Sequence, residues 1–247
     1  MRCHVGIIFS SPLEADGLLN RLVGRIEIHG DGFVAHEGAL NQKAIVVFIS
    51  DAGQSAAQAA AQRLIAGHSP AWVVSAGFAG SLDASLKGAD ILMASSIIGL
   101  RGDPVTLDLS IAADDLAKTP GVHVGRLLTV DQAVCKATER RELAQQHGAL
   151  AVDRESLAVA QVCQRESTRF LGIRAISENI DDELPPDIAR LLNKPTTARR
   201  IGAAAGTIVR RPSALMELWK LRETAWECSG RLGKFLQDVI AQLPVQP

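Results

Sequence analysis

Apolar and polar positions alternate in blocks along this chain, and the blocks are short. Val5 to Phe9 is a compact apolar run ending in Ser10-Ser11-Pro12, which predicts a strand followed by a turn. Leu13 to Leu22 has helical spacing, and Glu27 to His36 carries a Gly-Asp-Gly turn between two short strands, a hairpin pattern. Ala44 to Ile49 predicts a buried strand, and the alanine-rich stretch Gly53 to Ala66 a helix. Trp72 to Ala76 is the next strand, followed by a small-residue loop, Gly77-Phe78-Ala79-Gly80. Strands are expected at Asp90–Leu100, Val124–Leu128, Ala149–Val152 and Phe170–Ile176, and helices at Lys136–His147 and Arg154–Arg165. Leu184-Pro185-Pro186 then breaks the pattern, and Asn193 to Arg200 is a polar, basic loop. From Pro212 to Leu243 the chain predicts one long helix or a broken pair, with Leu215, Leu218, Trp219, Leu221, Leu232, Phe235, Leu236 and Val239 at helical spacing. Such a stripe suits packing on a sheet or against a second subunit. The Arg210-Arg211 pair before it suits a solvated helix start better than an anion site.

Strands and helices alternate, and several strands are apolar throughout. The expected class is α/β, with a central, largely parallel or mixed sheet covered on both faces. No linker-like segment divides residues 1–247, so a single domain is expected, with a helical C-terminal segment over about 212–243. Ligands of such folds bind beyond the carboxyl ends of the strands. The polar residues that follow each strand are therefore the candidates for chemistry.

Composition narrows the field. The 247 residues are 47% hydrophobic and 21% charged, with a formal net charge of -1. That balance gives no global field for nucleic acid or an acidic membrane surface. No apolar run is long enough to span a bilayer. The start runs straight into a strand pattern, so no signal peptide is expected, and the protein is expected in the cytoplasm. The four cysteines are scattered without metal-like spacing and are expected to be reduced thiols; the six histidines are dispersed as well, so no metal is expected. Tyrosine is absent and Phe plus Trp make 4% of the chain, which leaves few rings to stack on a base.

Three strand ends carry carboxylates. Glu14 follows the first strand, in the first turn of a helix. Asp153 and Glu155 flank Arg154 after the short strand. Glu178 and then Asp181, Asp182 and Glu183 follow the Phe170–Ile176 strand. Each alone is explained by helix capping or by the helix dipole; Asp153 in particular suits an N-cap. Together, at the edge where ligands bind, they point to a polar ligand with hydroxyl donors and an atom to protonate. The Gly77–Gly80 segment adds backbone that can approach a ligand closely, although close packing explains it equally well. It is neither a dinucleotide fingerprint nor a Walker loop.

The ordered pieces V-G-I-I-F-S-S-P-L-E-A, V-V-S-A-G-F-A-G-S-L, K-G-A-D-I-L, A-V-D-R-E-S and R-A-I-S-E-N resemble the nucleoside phosphorylase/nucleosidase superfamily, which includes methylthioadenosine/S-adenosylhomocysteine nucleosidases. The V-D-x-E-S form and the R-R-P tail look closer to the hopanoid-associated branch, whose members are thought to act on adenosylhopane. The resemblance implies a three-layer α/β/α fold around a twisted mixed sheet, a homo-oligomer, a small-molecule nucleoside as ligand and no cofactor. It also implies cleavage of an N-glycosidic bond through an oxocarbenium-like ribosyl state. Glu14 matches the acid that activates water, and Glu155 the glutamate that holds the ribose hydroxyls. Glu178 stands where the family has an aspartate that protonates the purine. Ala79 and Gly80 match the loop beside the ribose and nucleophile.

Glu155 suits its implied role physically, because an ionised carboxylate accepts from both hydroxyls of a diol, and a helix N-terminus favours ionisation. Three positions depart from the family pattern. Arg154 replaces the usual Met and is available to pair with Asp153 or Glu155 or to bind an anion. Glu178 replaces Asp, moving the carboxyl by about 1.5 Å on an unchanged backbone. Ala133 stands where a stacking ring is usual, so purine binding would rest on backbone groups near Val134 and on apolar packing. Phosphate as nucleophile needs fixed cations; the first-strand and glycine segments have none, and Glu14 would repel it, which favours water. Arg101, Arg154 or a neighbouring subunit are the available sources of a cation. A nucleoside-binding protein without turnover is the remaining alternative.

Overall fold

The computed structural model describes residues 3–30, 33–109, 119–184 and 214–244, the last helix by its backbone alone as far as residue 222. Among the described residues ten strands are found: β1 Val5–Phe9, β2 Val23–Gly30, β3 Phe33–Leu40, β4 Lys43–Ser50, β5 Trp72–Ser81, β6 Ile91–Ile98, β7 Val105–Thr106, β8 Val122–Thr129, β9 Ala151–Asp153 and β10 Arg169–Glu178. The helices are α1 Pro12–Leu19, α2 Gln54–His68, α3 Ala137–His147, α4 Ser156–Arg165 and α5 Ala214–Gln242.

The strands form one mixed sheet in the order β10-β6-β8-β9-β5-β1-β4-β3-β2, with β7 paired to β6. β10 also pairs with β5, so β5, β10, β6, β8 and β9 close into a ring from which β1, β4, β3 and β2 extend. β5 is the hinge of this arrangement. One edge pairs with β10 from Trp72 to Gly80. The other edge pairs with β1 over Trp72–Ser75 and with β9 at Gly80 and Ser81. Between those partners no strand of the described residues pairs with the edge, which is left open.

Alternation along the strands divides the core. Val5, Ile7 and Phe9 of β1 share one cluster with Leu18 of α1 and with Leu232, Phe235 and Leu236 of α5. Ile8 faces the opposite way, into a cluster with Ala57, Ala60 and Leu64 of α2 and with Val159 and Val162 of α4. Helices thus cover both faces of an α/β sheet, as expected. α1 and α5 pack with backbone almost in contact. A Cβ on Gly17 would lie 1.9 Å from the Ser229 carbonyl oxygen, and one on Gly233 2.2 Å from the Gly17 carbonyl carbon. The Lys43 ammonium, buried below α5, donates to the carbonyls of Ile240, Ala241 and Leu243, satisfying the orphan acceptors of the helix end.

Several local expectations are corrected. Gly77–Gly80 is not a loop but the continuation of β5, because β10 pairs along its full length. The hairpin strands are longer than expected and run 23–30 and 33–40; Asp31 and Gly32 of the turn lie outside the described residues. α1 ends at Leu19, three residues early, and β7 is an additional short strand. The C-terminal pattern forms one helix, not a broken pair. The 193–200 loop, Arg210-Arg211 and the side chains of Leu215, Leu218, Trp219 and Leu221 lie outside the described residues.

Candidate active site

A cavity of about 450 Å³ opens at the carboxyl ends of β1, β5 and β10 and at β9. Glu14, Ala79, Gly80, Val134, Arg154, Glu155 and Glu178, the seven candidates from the sequence, all line it. Ala133 lines it as well, and Phe78 is the aromatic ring of its walls among the described residues.

Glu14 is placed by the turn that starts α1. Ser11 is the N-cap and its hydroxyl accepts from the Glu14 N–H at 3.3 Å, with Pro12 inside the first turn. In a capping box the carboxylate would return to the cap's own N–H. Here it reaches one residue further: Oε2 accepts from the Ser10 N–H at 3.0 Å and the Ser10 hydroxyl at 2.7 Å. Oε1 accepts from the Phe78 N–H at 2.9 Å. That donor lies on the open stretch of β5, between the ends of β1 and β9. The approach requires glycine at 77, where a Cβ would stand 2.8 Å from Oε1. The same first turn thus caps α1 through Ser11 and presents the Glu14 carboxylate to the cavity.

Asp153 and Glu155 separate cleanly. The Asp153 carboxylate is buried and accepts from the Ser156 N–H at 3.1 Å and from the Thr129 hydroxyl at 2.6 Å. It therefore caps α4, although Glu155 occupies the N-cap position itself. Its principal partner is Arg174, at 2.7 and 2.9 Å, rather than Arg154. Arg174 also donates to the carbonyl and hydroxyl of Ser75, at 2.8 Å each. Glu155 accepts from the Gly53 N–H at 2.7 Å through Oε1. Gly53 holds a φ of 104°, a conformation that favours glycine. Burial, then the charges of Asp153 and Glu14, push the Glu155 carboxyl up to about 7. Desolvation thus opposes the ionisation that the helix N-terminus favours.

Glu178 stands at the end of β10. A bulge at Ser177 shifts the register, so that Ile176 pairs with Ala79 but Glu178 with Gly80. The Ser177 hydroxyl donates to its Oε2 at 2.6 Å. Burial raises its pKa, opposed by that hydrogen bond and by the Arg140 charge. A smaller void of about 10 Å³, roughly one water in size, touches Ser10, Glu14, Ser75, Gly77, Glu155 and Arg174. Among the described residues no group of three His, Cys, Asp or Glu could hold a metal ion, and no helix is long and apolar enough to cross a membrane.

Sequence reasoning missed Ser10, the Phe78 N–H, Gly53, Ser177 and Arg174. Arg174 alone left a local signal, a charge inside an apolar strand. The others act through backbone groups or short hydroxyls, whose partners are set by the tertiary arrangement.

Comparison with known proteins identifies the family and the fold. The model of a family described as the phosphorylase superfamily matches residues 4–211. A 5'-methylthioadenosine/S-adenosylhomocysteine nucleosidase of Colwellia psychrerythraea is 29% identical over 207 residues, 73% of this chain and 85% of the relative. The nucleosidase of Neisseria meningitidis, solved in complex with methylthio-immucillin-A, superposes with a TM-score of 0.77 at 20% identity, covering 97% of this chain and 99% of that one. Futalosine hydrolase of Helicobacter pylori gives a TM-score of 0.75 at 21% identity, with 98% of each chain covered.

Proposed function

Since the chain belongs to the phosphorylase superfamily, we propose that it is a nucleosidase that releases adenine from a methylthioadenosine- or adenosylhomocysteine-like nucleoside by hydrolysis. The observation that carries this proposal is the pair of carboxylates, Glu14 and Glu155, on a void of one-water size that shares both residues with the large cavity. The Glu14 carboxylate would repel a phosphate ion, which favours water as the nucleophile.

In the proposed reaction the nucleoside lies in the cavity with its ribose over Ala79 and Gly80. Glu155 accepts from the ribose hydroxyls, which compensate the desolvation that raises its pKa. Its charge then stabilises the cationic sugar that develops as the glycosidic bond breaks. Glu14, oriented by Ser10 and the Phe78 N–H, takes a proton from the attacking water as oxygen bonds to the anomeric carbon. Glu178, whose carboxyl burial pushes up from its ordinary value, gives its proton to the departing purine, which leaves as neutral adenine. Val134 supplies backbone groups to the base, and Phe78 and Ala133 give it apolar walls.

A second reading is favoured by one observation. Arg154 brings a cation to the cavity wall, so phosphorolysis of a purine nucleoside or an adenosylhopane-like substrate is the alternative. Incubation with methylthioadenosine, adenosylhomocysteine or adenosine, with and without phosphate, separates the two by chromatography of free adenine. Release without phosphate is the expected result. Release only with phosphate would transfer the nucleophile's site to Arg154. Saturable binding with no release under either condition would leave a nucleoside-binding protein.

A further inference from the structure

α3 is polar along most of its surface, yet Arg140 on it is 1% exposed, among the largest fully buried side chains of the chain. Its neighbour Arg141 is exposed and pairs with Asp181 at 2.5 Å. The two arginines follow each other in sequence but have opposite environments. A buried guanidinium is costly unless its charge is compensated. Arg140 donates through Nη1 to backbone carbonyls, that of Asn179 at 3.4 Å and that of Asp182. Both belong to the turn that directly follows Glu178. The same turn is closed by the Asp182 carboxylate, which accepts from the Asn179 N–H at 2.8 Å.

The other end of the guanidinium is equally pointed. Nε is buried and has no hydrogen-bond partner among the described residues. A Cβ placed on Gly80 would lie 3.3 Å from this Nε and 3.7 Å from Glu178 Oε2. The cation and the carboxyl thus flank one methyl-sized position beside the cavity floor.

We propose that Arg140 is the positioning residue for Glu178: it holds the 179–182 turn from behind and so sets where the Glu178 carboxyl stands against the leaving base. This rests on the acid role given to Glu178 above. Glu178 replaces a shorter aspartate of the family pattern, so its longer side chain needs a fixed backbone to deliver a proton to one atom. The charge contributes too. Arg140 from α3 lowers the pKa of Glu178 against burial, while Asp182 from the turn raises it. Cys135 before α3 and Cys228 on α5 feel the Glu178 charge, and burial holds both thiols neutral.

The test uses the full chain with Arg140→Met, Arg140→Lys, Asp182→Asn and Glu178→Gln. Two readouts are taken: kcat and KM for adenine release against pH, and the Glu178 carboxyl titration by carbon NMR on glutamate-labelled protein, assigned with Glu178→Gln. Arg140→Met is expected to lower kcat by about tenfold or more, with KM little changed. It should also move the Glu178 titration, and the basic limb of the kcat profile, to higher pH. Arg140→Lys should restore the titration but not kcat, because a lysine keeps the charge on a shorter side chain that does not reach the two carbonyls met by Nη1. Asp182→Asn, at an exposed position whose amide oxygen can still accept from the Asn179 N–H, should move the titration to lower pH even if Arg140→Met fails to fold. An unmoved Glu178 titration in both Arg140→Met and Asp182→Asn overturns the proposal, as does a kcat loss that Arg140→Lys fully restores. NMR shifts of the expected sign with an active Glu178→Gln would instead place the failure in the acid assignment, leaving Arg140 as the group that holds the turn.

Discussion

Glu155 carries the clearest consequence at the level of single residues. A carboxylate at a helix start is ordinarily ionised, but here burial and the neighbouring Asp153 and Glu14 push its pKa from 4.5 to about 7. The folded chain therefore holds a proton between those two values that the unfolded chain releases. The stability this contributes is full below pH 4.5 and is lost as pH rises through about 7. Glu155→Gln should abolish turnover and also flatten this dependence. Melting temperatures of the two proteins between pH 5 and 8 check it: the variant should gain on the wild type as pH rises, and parallel curves would count against a strained carboxyl. The same scale shows what a local pattern can carry. Glu14 was legible because a serine cap, a proline and an acid follow a strand in fixed order. Arg140 was not, since E-R-R-E presents two equivalent arginines and only packing buries one of them.

At the level of elements, the crossing of α1 and α5 positions one wall of the cavity. Thr224 and Ala225 of α5 reach the cavity, and the helix is held there by glycine contacts and by the Ser229 hydroxyl, which accepts from the Gly17 N–H at 2.9 Å. Gly233→Ala should force the helices apart, costing about 1–3 kcal/mol as overpacking does and weakening substrate binding. Urea unfolding and KM measured together check this; a destabilised variant with unaltered KM would mean that α5 does not shape the site. Lys43→Met should act at the other end of the same helix, exposing its last turn to faster amide hydrogen exchange, because three carbonyls lose their donor. Helical spacing announced α5, but nothing in its periodicity revealed that it ends on a lysine from β4.

At the level of the whole molecule, the closed ring of five strands depends on a pair that no sequence pattern links. Arg174 on β10 bonds to Ser75 on β5 and to Asp153 on β9. Removing one partner of such a buried pair costs about 3–5 kcal/mol, because the other charge is stranded. Asp153→Asn and Arg174→Met should each fall in that range in urea unfolding, and the double variant should cost less than the two summed. Strict additivity would show that the two side chains act independently.

By itself the sequence determined the α/β class, the order of nearly all strands and helices, and the strand ends where carboxylates gather. Those are local properties: periodicity, caps and chain order are written in consecutive residues. The tertiary structure alone decided the ring closure through β10 and the open stretch of β5 that supplies the Phe78 N–H. It also decided the capture of Asp153 by Arg174 and the burial of Arg140. Each of these joins residues distant along the chain, where pairing edges and desolvation, rather than residue type, determine what a side chain does.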